Sequence, residues 1–79
     1  MTRFYFHLRS GDELTLDDEG AEFADYAAAL REVTLAAREL LAEAIIRGIP
    51  HRVDALVIAN GSGRELGSVS LARLLQKAS

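Results

Sequence analysis

Residues 25–48 read DYAAALREVTLAARELLAEAIIRG, and this stretch decides the fold. The residues from Tyr26 to Arg47 include no glycine or proline and are mostly Ala, Leu, Glu and Arg, which favour helix. Asp25 is a good N-cap residue, and Gly48 is the residue type that most often ends a helix. The pattern therefore predicts one long helix over residues 26–47.

The apolar residues of this helix divide between two faces. One face is expected to cover a sheet, and it combines Tyr26, Leu30, Val33, Ala37, Leu40, Leu41 and Ala44. A second apolar stripe lies nearly opposite and consists of Ala28, Leu35, Ala42 and Ile46. It is flanked by Arg31 and Arg38 on one side and by Glu32 and Glu39 on the other. A two-layer domain buries one helix face, so this stripe predicts a parallel or antiparallel helix pair between two copies. The alternative is that its residues are merely exposed apolar side chains, which are common on surfaces.

The residues before the helix alternate in polarity. Over residues 3–9, one set faces a core (Phe4, Phe6 and Leu8) and the other faces away (Arg3, Tyr5, His7 and Arg9). This pattern predicts a strand with one buried face.

A hairpin is expected next. SGDE at residues 10–13 predicts a turn, after which Leu14 and Leu16 resume the alternation. Because cross-strand partners share a face, Leu8 is expected to lie opposite Leu14 or Leu16.

The chain after the helix contains two more strand patterns. VDALVIA (53–59) predicts a buried strand, NGSG (60–63) a turn, and RELGSVSL (64–71) a weaker strand. The final SLARLLQK (70–77) could form a short helix capped by Ser70, with its leucines packing inward. The sequence therefore predicts a single α+β domain over residues 1–79. A four-stranded, mainly antiparallel sheet in ββαββ order packs on one long helix, with a possible short C-terminal helix.

Composition excludes several classes of protein. The 79 residues contain no cysteine, which rules out disulfides, thiol catalysis and cysteine-ligated metal centres. No run approaches the roughly 18 apolar residues that a membrane span needs, so we expect a soluble, cytoplasmic protein. Nucleic-acid binding is disfavoured because no Lys/Arg cluster exists.

The charge is unevenly distributed along the chain. Residues 12–25 hold seven acidic residues and no basic one, whereas the other residues hold nine basic and five acidic ones. Such a chain could associate with itself, acidic end against basic surface. The alternative is a solvated acidic edge that keeps a monomer soluble.

The acidic stretch does not match a calcium-binding loop. Such a loop requires glycine at its sixth position, where Asp17 or Glu22 would stand here. A looser magnesium or calcium site at Asp17, Asp18 and Glu19 remains an alternative. We favour a structural role, in which Gly20 turns the chain and the following acids precede the helix N-terminus. We therefore expect no metal and no cofactor.

The outward face of the hairpin is a candidate ligand face, formed by Tyr5, His7 and Arg9 with Asp17. His7 beside Asp17 would be a carboxylate-oriented imidazole, as in a general base, but only in one hairpin register. No activated nucleophile follows, so we expect no catalytic residue and no enzymatic activity. The alternative is an ordinary charge pair on a solvated sheet face.

Three segments resemble a known family. They are RFYFHLRSGD (3–12), LDDEGAEFAD (16–25) and AARELLAEAI (36–45), and the best markers are Arg3, Tyr5, Phe6, His7, Asp17, Glu19, Gly20 and Glu22. Together they resemble a domain of unknown function found in small bacterial proteins, over roughly residues 3–70. The resemblance implies no activity.

The sequence leaves three functional hypotheses. The leading one is a small non-enzymatic interaction module that forms a homodimer, through the helix or a sheet edge, and that could also take a protein partner. The second is a small-ligand or divalent-metal binding protein that uses the Tyr5, His7 and Arg9 face. The third, by analogy of fold alone, is an antitoxin-like regulator.

Overall fold

An antiparallel sheet carries one long helix across one of its faces. The structure is a computed structural model that describes residues 1–48 and 53–78. Its elements are β1 (Thr2–Ser10), β2 (Glu13–Thr15), β3 (Ala21–Phe23), α1 (Tyr26–Arg47), β4 (Ala55–Ala59), β5 (Glu65–Ser70) and α2 (Leu71–Ala78). The predicted α+β class, the long helix and the short C-terminal helix are confirmed. No helix in this described part is long and apolar enough to cross a membrane.

The strand order is β2-β1-β4-β5, and every pairing is antiparallel. β1 is the longest strand, and β3 pairs with its first half, placing Phe4 opposite Ala21. β2 and β3 follow each other along the same edge of β1. The predicted second strand corresponds to β2 alone, and β3, which the sequence did not predict, is an additional strand separated from it by residues 16–20.

The predicted hairpin register is wrong. Leu8 lies opposite Thr15 rather than Leu14 or Leu16, which are 41% and 63% exposed. A two-residue turn at Gly11 and Asp12 joins the strands, and Gly11 has a φ of 61°. Such a turn fixes the register of a hairpin. A three-residue edge strand buries too little apolar surface to override it.

The core lies between α1 and the inner face of the sheet. One row of α1 is buried at four-residue spacing, and it consists of Ala29, Val33, Ala37 and Leu41. The row packs on Phe4, Leu56, Ile58 and Leu71. Of the predicted helix face, Tyr26 and Leu40 pack at the margin, and Leu30 remains 36% exposed. The predicted face is thus correct in direction, and its centre lies nearer to Ala29.

The predicted helix ends are confirmed. The Asp25 side chain accepts the Ala28 N–H at 2.9 Å, and Gly48 adopts the left-handed conformation with a φ of 68°. At the start of α2, the Ser70 hydroxyl accepts the Arg73 N–H at 3.4 Å.

Asp54 links three parts of the chain, which the sequence did not predict. Its carboxylate accepts the Gly11 N–H at 2.7 Å, and its carbonyl accepts the Leu71 N–H at 3.0 Å. Its own N–H donates to the Arg9 carbonyl at 2.8 Å. Asp54 therefore connects the hairpin turn, the start of α2 and the end of β1 through hydrogen bonds.

Candidate functional site

Asp17 lies in the gap between β2 and β3 and hydrogen-bonds to β1 where neither strand pairs with it. Between β2 and β3, the Asp17 carboxylate accepts the Phe6 backbone N–H at 3.1 Å through Oδ2. Its other oxygen, Oδ1, accepts the N–H groups of Glu19 at 3.1 Å and Gly20 at 3.2 Å. One side chain thus satisfies a strand donor and also shapes the turn that leads into β3.

His7 holds the same segment from the other side. Its Nδ1 accepts the backbone N–H of Asp17 at 3.0 Å, so this nitrogen carries no proton. A base-orienting carboxylate would instead accept a hydrogen bond from an imidazole N–H. His7 is only 8% exposed although it points away from the helix. The predicted proximity of His7 and Asp17 is present, but the hydrogen bond has the geometry of a structural contact.

The electrostatics of Asp17 follow from these contacts. Partial burial acts to raise its pKa, whereas the N–H groups of Phe6, Gly20 and Glu19 act to lower it. The hydrogen bonds prevail, so the pKa of Asp17 lies below its ordinary value of 3.8. The carboxylate is therefore stabilised as an anion by its structural role.

Gly20 completes the turn and cannot be replaced by a larger residue without strain. Its φ is 68°, and a β-carbon there would lie 2.8 Å from the Phe4 carbonyl oxygen and 2.9 Å from Cε2 of Tyr5. Residues 17–20 (DDEG) therefore pack closely against β1. Within residues 1–48 and 53–78, no group of three His, Cys, Asp or Glu side chains could hold a metal ion.

The structure brings the candidate ligand face together as the alternation predicted. Tyr5, His7 and Arg9 lie opposite Ala59, Val57 and Ala55 on the outer face of the sheet. The Arg9 guanidinium reaches across β4 to the carboxylate of Glu65 on β5, at 3.1 and 3.2 Å. The charge of Arg9 and Nδ1 of His7 are therefore engaged within the chain.

The candidate dimer stripe is exposed. Leu35 and Ile46 are 51% and 84% exposed, Ala42 is exposed, and Ala28 is partly buried. Ile45, which the sequence did not assign to the stripe, is 69% exposed beside it. Its position three residues after Ala42 makes the two neighbours on the helix surface, and this spacing could have identified Ile45 from the sequence. The stripe lies on the helix face directly opposite the buried row.

The acidic and basic residues that are separated along the sequence are also separated in the folded molecule. The acidic residues of positions 12–22 lie along the edge formed by β2 and β3. At the opposite edge, Arg38 from α1 and Arg73 from α2 line a groove beside β5. The two free edges of the sheet therefore carry opposite charges.

The fold and this site define a small α+β protein whose acidic segment is built into the edge of its sheet. The chain belongs to a family described as Domain of unknown function (DUF6894), whose family model matches residues 3–72. The resemblance seen in the sequence is therefore confirmed at the level of the family. No curated protein and no solved structure matches the chain.

Proposed function

We propose that this protein is a non-enzymatic interaction module that forms a homodimer through the outward face of α1. The observation that carries the proposal is the exposure of Leu35, Ile45 and Ile46 on the side of the helix away from the core. Removing apolar surface from water contributes about 25 cal/mol per Å². A second copy presents the same aliphatic stripe, so pairing of the two helices would bury both stripes.

Small side chains in the stripe favour close approach of two helices. Ala28 and Ala42 lie one heptad on either side of Leu35. The distance between packed helices depends on the side chains at their contact, and alanines allow short separations. Leu35 of each copy would then fill the space between the alanine positions.

The charges beside the stripe favour parallel helices. Arg38 and Glu39 lie on opposite sides of it, and neither takes part in an ion pair within the part of the chain the structure describes. A two-fold axis along the helices brings Arg38 of each copy beside Glu39 of the other. A two-fold axis across the helices would bring Arg38 beside Arg38. Such complementarity selects orientation more than it adds affinity.

Sedimentation velocity tests the proposal. We expect the wild-type chain to sediment as a dimer and the double variant Leu35→Glu, Ile46→Glu to sediment as a folded monomer. The matched control is Leu14→Glu, Leu16→Glu, which places the same charges on exposed leucines of the hairpin and should remain dimeric. A monomeric wild type at about 1 mM, or dissociation of the control alone, would overturn the proposal.

A further inference from the structure

β5 presents an open strand edge. It pairs with β4 on one side only, and within the described residues no strand lies beyond it. The backbone groups of a strand point alternately to its two edges. The N–H of Phe6 points towards Asp17, at the edge of β1 away from β4. The N–H and C=O of the next residue, His7, therefore point the other way, towards Val57 of β4. Val57 directs its N–H and C=O towards His7, and so away from its other partner, Ser68. The N–H and C=O of Ser68 consequently point away from β4, to the free edge.

This edge lacks the features that usually prevent strand addition. Natural edge strands carry lysine, proline or outward bulges. β5 reads ELGSVS and has neither lysine nor proline, and its one charged residue, Glu65, is paired with Arg9. The bulge lies at Ile58 and Ala59, opposite the start of β5. The remainder, from Gly67 to Ser70, is regular and has small side chains.

A groove runs beside the open edge and carries positive charge. Thr34 and Arg38 of α1 line one wall, Arg73 and Leu74 of α2 line the other, and Ser68, Val69 and Ser70 of β5 complete it. Its lining includes two arginines and no acidic residue. A second copy docking edge to edge about a two-fold axis would bring both pairs of arginines together. The charge therefore selects an acidic occupant.

We propose that the free edge of β5 is a docking site for an extended, acidic segment of a partner polypeptide, which adds to the sheet as a further strand. Its backbone would pair with the N–H and C=O of Ser68. Its carboxylates would meet Arg38 and Arg73. Arg38 borders both this groove and the stripe around Leu35, whereas Ser68 and Arg73 lie outside the stripe. In the dimer, where Arg38 would meet Glu39 of the other copy, Arg73 meets the carboxylates of the partner segment, so binding at the edge does not require the dimer.

Peptide titration by NMR tests this site in the full-length chain. The probe is a capped nine-residue peptide that alternates glutamate with threonine, and its control has lysine in place of each glutamate. We expect the acidic peptide to shift the amide signals of Ser68 and Arg73, with binding that weakens as salt increases. We expect no such binding from the lysine peptide.

Two pairs of variants make the test specific to strand addition. Ser68→Pro removes the outward N–H without breaking a bond to β4 and should abolish binding, whereas Ser68→Thr keeps the N–H and should bind. Arg73→Glu should weaken binding at least about tenfold, and Arg47→Glu, at the far end of α1, should not. Arg73→Glu keeps the proposal testable if Ser68→Pro does not fold. Leu35→Glu, Ile46→Glu should still show the peptide-induced shift of the Ser68 amide signal, which separates this site from the dimer.

Three results would overturn the proposal. The first is equal binding of the acidic and lysine peptides, or no binding of the acidic peptide at about 1 mM. The second is equal binding by Ser68→Pro and Ser68→Thr when both are folded. The third is conversion of an oligomer into a monomer by Ser68→Pro, since a second copy of the chain would then cover the edge.

Discussion

The backbone N–H of Asp17 donates a hydrogen bond to Nδ1 of His7 over 3.0 Å, and the carboxylate of Asp17 accepts the N–H of Phe6. Two neighbouring residues of β1 therefore hold one residue of the acidic segment, each through a different part of it. This arrangement explains why a stretch so rich in carboxylates follows the sheet edge closely. Its most important carboxylate is a structural acceptor.

Replacing Asp17 should destabilise the fold. In Asp17→Asn, one oxygen becomes an N–H donor, and either amide orientation places that donor against a backbone N–H of Phe6 or Gly20. We expect the free energy of unfolding to fall by about 1–3 kcal/mol, measured by urea denaturation. Asp18→Asn makes the same charge change at an exposed neighbour and should cost less than about 0.5 kcal/mol. Equal losses in the two variants would contradict the assigned role.

The contribution of Asp17 should also depend on pH. Its pKa in the folded protein is lowered from 3.8, so its stabilising effect is complete above that value and is lost as the pH falls through the folded-state pKa. The difference in unfolding free energy between wild type and Asp17→Asn should be largest at neutral pH and shrink below pH 3.8. Urea denaturation at a series of pH values measures it. A difference that grows on acidification would have the wrong sign.

Gly20→Ala should be strongly destabilising. The new methyl group would meet the Phe4 carbonyl oxygen in a backbone conformation that alanine rarely adopts. We expect a loss of about 2 kcal/mol or more in unfolding free energy. Gly61→Ala is the matched control, because its β-carbon would point into open space and its φ is not in the left-handed region. A thermal-denaturation scan that ranks the two variants equally would refute this account of the turn.

A second glycine packs against the start of α1. A β-carbon on Gly67 would collide with the hydroxyl of Tyr26, so Gly67→Ala should lower the melting temperature. Adding Tyr26→Phe removes the colliding oxygen and should recover part of the loss. A double-mutant cycle measures this coupling. Purely additive effects would show that the two residues are not in contact.

The sequence predicted the elements whose structure is determined locally. α1 is defined by helix propensity, by the cap at Asp25 and by the stop at Gly48, all of which lie within the helix or next to it. The alternation in β1 likewise placed Tyr5, His7 and Arg9 on one face. Both predictions needed no knowledge of distant residues.

The errors lie at the hairpin turn and where residues distant along the chain decide the structure. The register of Leu8 is set by the two-residue turn, whereas β3 was not predicted because its position depends on the contacts of Asp17 and Ala21 with β1. Asp54 was missed because its partners, Gly11 and Leu71, are remote along the chain. Polarity alone suggested an exposed His7, whereas the fold covers it.

The most direct test of the central claim is sedimentation equilibrium of a charge-exchange series on α1. In a parallel dimer, Arg38→Glu alone and Glu39→Arg alone each place like charges together, so both should weaken dimerisation. The double exchange restores opposite charges and should recover the wild-type dissociation constant. Four chains with equal dissociation constants would contradict the parallel arrangement of the helices, and a wild type that is monomeric throughout would contradict the dimer itself.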